Sequence, residues 1–271
     1  MHRADGEGVE DRMKRGMLRK ILLIAAGSVF LFSTFMVTKH RLEMRDSAEY
    51  TEKMVQMAVV PSPQPSVAEP QETLIHEPTE RAPICVDFDA LLAANQDVVA
   101  WLYSPDTPIN YPVAQAEDNA YYLHRLPDGR RNSAGTLFMD YRNAGDLTDW
   151  NSVIYGHNMN NDSMFGTLTD YSSQAYFEAH PKLYLLTPEK DYVIRVAAGF
   201  TVPADAELYT AFNPDEAEKT RLTENWLAAS NFVSDTIPTA EDHLITLSTC
   251  AYQFEDARYV LVGVLEELPK W

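Results

Sequence analysis

The chain has 271 residues, 45% of them hydrophobic and 23% charged, which is ordinary globular usage and excludes wholesale disorder or a fibrous repeat. Two cysteines cannot build a disulfide framework in a chain of this size. A net charge of −18 argues against nucleic acid as the main partner, because neutralising phosphates takes clustered Lys and Arg.

The charge is unevenly placed. Residues 1–45 carry nine Lys and Arg against five Asp and Glu, whereas the remainder carries 13 against 35. Residues 21–37 (ILLIAAGSVFLFSTFMV) contain no charge. As a helix they extend roughly 26 Å, just enough for a hydrocarbon core of about 30 Å with local adjustment. Arg12, Lys14, Arg15, Arg19 and Lys20 precede the run, which predicts that the N-terminus stays in the cytoplasm. A core helix would show a polar stripe, and this run has none. A cleaved signal peptide shares the charged start, but Phe35-Met36-Val37-Thr38-Lys39 lacks the small residues of a cleavage site. The expectation is an uncleaved single-pass anchor in the cell membrane with the bulk of the chain outside.

Pro61, Pro63, Pro65, Pro70, Pro78 and Pro83, mixed with Ser, Gln and Glu, describe a semi-rigid extended spacer. The predicted organisation is a cytoplasmic tail over 1–20, an anchor over 21–38, a stalk over 39–82 with some helix near 44–59, and one folded domain over 83–271. Within that domain a short helix fits 87–94. Strand-like runs follow at 99–103, 109–113, 135–139, 152–155, 182–186, 191–201, 243–249 and 258–265. Short helices fit 117–125, 163–171 and 173–179, and a longer one fits 215–229, with Asn213-Pro214 as its entry signal. Eight short strands with inserted helices predict a mainly β barrel or sandwich decorated by helices, not a doubly wound sheet.

Motifs for metal or phosphate chemistry are missing. There is no His-Glu-x-x-His, no Cys-x-x-Cys, no Gly-rich phosphate loop and no Gly-x-Ser-x-Gly, so neither a metal nor a cofactor is expected. The segment Leu244-Ile245-Thr246-Leu247-Ser248-Thr249-Cys250 reads as a strand whose alternation puts Cys250 on the more polar face with Ser248 and Thr246. If the next strand, opening at Arg258, returns antiparallel, Cys250 and Arg258 face each other at the hairpin mouth. A guanidinium beside a thiol favours the thiolate and can hold a developing oxyanion. His157, after Val153-Ile154-Tyr155-Gly156, stands at a strand end from which a side chain can reach a groove. Its order, histidine before cysteine, excludes a papain-like arrangement. On residue types alone other readings stay open: Cys250 as a small buried hydrophobe, His157 as a satisfied structural group, or a Cys85–Cys250 disulfide in an oxidising compartment.

Longer motifs add to this. Thr246-Leu247-Ser248-Thr249-Cys250 with Arg258 eight positions on, and Tyr155-Gly156-His157-Asn158-Met159 followed by Met164-Phe165-Gly166, resemble class B sortases. So do Val86-Asp87-Phe88-Asp89-Ala90-Leu91-Leu92, Pro108-Ile109-Asn110-Tyr111-Pro112-Val113, Asp118-Asn119-Ala120-Tyr121-Tyr122-Leu123 and Phe138-Met139-Asp140-Tyr141-Arg142-Asn143, in order and spacing. The resemblance implies a closed eight-stranded barrel with N-terminal helices and a long helix between its sixth and seventh strands. It also implies a membrane-bound cysteine transpeptidase of Gram-positive bacteria, with His157, Cys250 and Arg258 as its catalytic residues. Implied partners are secreted proteins bearing a C-terminal sorting motif and an amine of a peptidoglycan precursor or a pilin. Ser248 and Thr249 are candidate substrate contacts. A peptidase that uses water as acceptor, or an anchored binding module without catalysis, are the alternative functions.

Overall fold

The computed structural model describes residues 5–62, 80–209, 211–251 and 256–271, with side chains from residue 16 onward. Two compact units are present, Met1–Asp46 and Ser47–Trp271. Helix α1 (Asp5–Ala58) supplies the described part of the first unit, and its residues 47–58 belong to the second. Over residues 21–37 the helix is apolar on every side, with Leu23, Ile24, Phe30, Leu31 and Phe32 all exposed. Ser28 and Thr34 donate their hydroxyls to the carbonyls of Ile24 and Phe30 at 2.9 Å, so these polar groups are satisfied within the helix. This part of α1 is long and apolar enough to cross a membrane.

The second unit begins with residues whose composition reads as spacer. Met54 and Ala58 of α1 are buried with Phe88, Leu91 and Trp101 in one apolar cluster. Strand β1 (Val59–Pro61) then pairs antiparallel with β2 (Ile84–Val86). Residues 47–61 are therefore packed structure, because an apolar face on that last stretch of helix finds a surface to cover. The proline-rich stretch 63–79 lies outside the described residues.

Helix α2 (Phe88–Ala94) follows, capped by Asp87, whose carboxylate accepts from the amide of Ala90 at 3.0 Å. Eight strands make the barrel: β3 (Val98–Tyr103), β4 (Asn110–Ala114), β5 (Leu137–Met139), β6 (Asn151–Tyr155), β7 (Lys182–Leu186), β8 (Asp191–Pro203), β9 (Leu244–Cys250) and β10 (Ala257–Leu268). They close in the order β10-β8-β7-β3-β4-β5-β6-β9, so the architecture is a barrel and not a sandwich. Closure leaves the barrel itself without a free edge. Neighbouring strands are antiparallel except for β4 with β5 and β6 with β9.

Two helices expected from the sequence are tighter turns in the structure. Over 117–125 only Tyr122–His124 is helical, as a 3-10 turn. The carboxylate of Asp118 captures the amides of Ala120 and Tyr121 at 2.9 and 2.8 Å, competing with helical pairing. The second, over 163–171, is a 3-10 run spanning Gly166–Ser172. Helix α3 (Gln174–Ala179) continues from it.

Helix α4 (Glu216–Ala229) lies between the sixth and seventh barrel strands, capped by Asp215. Its buried Leu222 and Trp226 pack on Ala198, Phe200, Val260 and Leu244. Burial along β9 departs from simple alternation: Thr246 and Ser248, on its more polar face, are as buried as Ile245 and Leu247. Polar residues on that face are spent on contacts within the protein, as with Thr246, which donates to Asn151 Oδ1 at 2.9 Å.

Candidate active site

Strand register brings the three predicted side chains together. Strands β6 and β9 run parallel with Tyr155 opposite Ser248, so two further residues carry the chain to His157 on one side and Cys250 on the other. Both residues therefore lie at the same end of the barrel, just past or at the end of their strands. On the far side of β9, strand β10 pairs Arg258 with Cys250, the opposition expected of a hairpin mouth. Of the connection between them, residues 252–255 lie outside the described residues.

The strand ends are tied to each other. Gly156 donates its amide to the carbonyl of Ser248 at 3.1 Å, and its own carbonyl accepts from Thr249 Oγ1 at 2.8 Å. Asn158 Nδ2 donates to the carbonyl of Cys250 at 2.8 Å. The glycine is required by close approach: a Cβ there would stand 2.4 Å from Leu137 Cδ2 and 2.6 Å from Phe165 Cδ2.

His157, Cys250 and Arg258 line one cavity of about 320 Å³, whose walls include Leu123, Tyr155 and Tyr209. All three are half-buried. Cys85 and Cys250 are both free thiols, with Cys85 on β2 beside Ser62 Oγ at 3.7 Å. A larger cavity of about 580 Å³ lies at the opposite end of β9, beside His243, and neither cysteine lines it.

His157 Nε2 stands 2.7 Å from the carbonyl oxygen of Leu123. A carbonyl only accepts, so Nε2 carries the proton and Nδ1 is the basic nitrogen of the neutral ring. The ring stacks on His124, with centroids 5.5 Å apart and planes 20° from parallel. Burial, opposed by the bond to Leu123 and helped by the charge of His124, holds the His157 pKa below the usual histidine value. The ring is therefore neutral at pH 7, with Nδ1 unprotonated.

Tyr209, in the 3-10 turn Glu207–Tyr209 after β8, was not singled out by the sequence. Its hydroxyl lies 2.9 Å from Ser248 Oγ. Burial pushes its pKa up to about 12; Ser248 and the Arg258 charge oppose this, and Cys250 adds to it. Ser248 and Thr249 line the cavity, but both are buried and their hydroxyls are engaged with Tyr209 and Gly156. Beneath the cavity sits Asp140, fully buried, bonded to Arg142, Tyr155 and Asn119. The motif containing Asp140 and Arg142 is visible in the sequence, but no local pattern reveals that it meets residues far along the chain. Among the described residues no group of three or more His, Cys, Asp or Glu side chains is placed to hold a metal.

The family model for the Sortase domain matches residues 102–266. Sortase B of Listeria monocytogenes is 34% identical over 173 residues, covering 63% of this chain and 70% of that protein. The crystal structure of sortase B from B. anthracis in complex with AAEK1 superposes with a TM-score of 0.68 at 31% identity, covering 83% of this chain and 99% of that one. A crystal structure of sortase B complexed with triglycine gives a TM-score of 0.63 at 28% identity, covering 67% of this chain and 86% of that one.

Proposed function

The chain belongs to the sortase family of cysteine transpeptidases, class B, and from that premise we propose that Cys250, His157 and Arg258 carry out acyl transfer at the cavity they share. The supporting observation is the double register, Tyr155 opposite Ser248 and Cys250 opposite Arg258, together with the one cavity that His157, Cys250 and Arg258 all line. In the first half-reaction the thiol of Cys250 gives its proton to Nδ1 of His157 and the sulfur attacks a peptide carbonyl carbon. The C–N bond breaks, His157 returns the proton to the departing amine, and a thioester remains on Cys250. In the second half-reaction an amine attacks the thioester, the C–S bond breaks, and the proton lost by the amine passes through His157 back to the sulfur. Arg258 offers a planar, permanently charged fork to the oxyanion of each tetrahedral intermediate. Ser248 and Thr249 serve the site by holding Tyr209 and the β6 end in place.

The substrates we assign are secreted proteins with a C-terminal sorting motif, and the acceptor is an amine of a peptidoglycan precursor or a pilin. The apolar part of α1 is assigned as a single-pass anchor with its N-terminus in the cytoplasm, which leaves the catalytic domain over 83–271, with residues 47–61 packed on it, outside the cell. The net negative charge of the residues beyond the anchor keeps that domain soluble. The test is a product assay with a pentapeptide library, with and without triglycine. Amide-linked product formed only when triglycine is present, and abolished in Cys250→Ala, supports a transpeptidase. Hydrolysed peptide alone, at the same rate with or without triglycine, replaces it with a peptidase, and no turnover with an unreactive Cys250 leaves a binding module.

A further inference from the structure

Asp140 is a carboxylate with no exposure to water, placed just past the end of β5 and outside the proposed chemistry. Its Oδ1 accepts from the backbone amide and Nε of Arg142 at 3.0 and 2.9 Å. Its Oδ2 accepts from Arg142 Nη2 at 2.7 Å, Tyr155 OH at 2.9 Å and Asn119 Nδ2 at 3.0 Å. These donors hold its pKa below the usual aspartate value although burial alone would raise it.

Each donor belongs to a different wall of the cavity. Asn119 lies between β4 and β5, Tyr155 ends β6, and Arg142 reaches across to the segment joining β8 to α4. There Arg142 Nη2 also donates to the carbonyl of Tyr209 at 2.8 Å, and its guanidinium lies over the ring of Phe212 at 4.8 Å. The circuit closes through the rings, because Tyr209 stacks on Tyr155 with centroids 6.0 Å apart. Asn119, Arg142, Tyr155 and Tyr209 all line the cavity.

The Asp140 carboxylate has no exposure and the Arg142 side chain is 36% exposed, so the pair stands at the cavity wall with its guanidinium partly in solvent. Resting on the acyl-transfer reading of the cavity, we propose that Asp140 and Arg142 are positioning residues that hold the three walls around the donor peptide at a fixed separation. They touch neither the thiol nor the imidazole. Their removal loosens peptide binding while the thiol keeps its reactivity. Lysine at position 142 cannot grip both carboxylate oxygens and still reach Tyr209.

The test uses the full chain in detergent. For the best-cleaved member of the pentapeptide library, with triglycine as acceptor, KM and kcat are measured for wild type, Arg142→Gln, Arg142→Lys and Tyr155→Phe. The rate of iodoacetamide addition at Cys250, separated from Cys85 by mass mapping, and amide hydrogen exchange over 204–213 are measured alongside. Expected are a rise in KM of about ten-fold in Arg142→Gln, with Arg142→Lys close behind and Tyr155→Phe at about three-fold. Within the same set kcat changes less than about three-fold, alkylation of Cys250 stays within about two-fold, and exchange over 204–213 quickens. Wild-type KM and exchange in both Arg142 variants, or full rescue by lysine, overturns the proposal. So does a fall in alkylation parallel to activity, which marks general damage. Should the wild-type chain turn over no peptide, the acyl-transfer reading fails by itself, and exchange over 204–213 still decides whether Arg142 holds that wall.

Discussion

At the scale of single residues, the proposed chemistry depends on two different nitrogen groups beside one sulfur. The charge on Arg258 is permanent and its donors are fixed in a plane, whereas His157 must change protonation state in each half-reaction. Arg258→Lys keeps the charge but loses the fork, and we expect it to remain folded while kcat falls about 100-fold or more, in line with the loss of an oxyanion donor. Full activity in that variant would remove Arg258 from the mechanism. For His157, the folded ring resists protonation, so its pKa lies below the unfolded value of about 6.5. Because the depressed value favours the neutral ring, the stabilisation is present above about pH 6.5 and fades as pH falls through the folded pKa. The acid limb of kcat/KM is accordingly expected below about pH 6.5, together with a loss of stability over the same range that His157→Gln flattens. A limb above that pH assigned to His157 by NMR titration contradicts this.

At the scale of elements, strands were more legible than turns. Residues 182–186 (Lys-Leu-Tyr-Leu-Leu) form a short apolar run between Pro181 and Pro188, too brief for a helix, and β7 occupies those residues. The opposition of Cys250 and Arg258 was also readable, since a short hairpin leaves few registers. The pairing of β6 with β9 was not, because a parallel contact between strands so far apart in the chain carries no local signal. The same holds for Asp140, whose partners are scattered along the chain from Asn119 to Tyr155. Segment 117–125 misled because its apolar spacing suits a helix, while Asp118 competes for the amides that a helix needs. Two substitutions test the elements that position the site. Gly156→Ala forces a methyl onto Leu137 and Phe165, and should destabilise by about 1–3 kcal/mol with loss of activity. Asp215→Ala removes the cap of α4 and should cost about 1 kcal/mol in denaturant unfolding while leaving kcat unchanged.

At the scale of the whole molecule, composition separates the chain differently from packing. Proline content marks a spacer up to residue 82, yet Met54 and Ala58 are 3% and 1% exposed within the apolar cluster of the second unit. A fragment starting at residue 47 should therefore be more stable than one starting at 83, which uncovers Phe88 and Leu91 and deprives β2 of its partner. Loss of a buried methionine contact alone is worth about 2 kcal/mol or more, so the midpoint of thermal unfolding should differ by about 4–8 °C. Equal midpoints would show that residues 47–61 add nothing to the fold. The most direct test of the acyl-transfer reading is intact-protein mass spectrometry of the chain mixed with the cleaved pentapeptide, followed by triglycine. The account predicts a thioester adduct mapped to Cys250 that disappears as the amide product forms and never arises in Cys250→Ala. Amide product made without any adduct at Cys250, or an adduct that persists in Cys250→Ala, would contradict it.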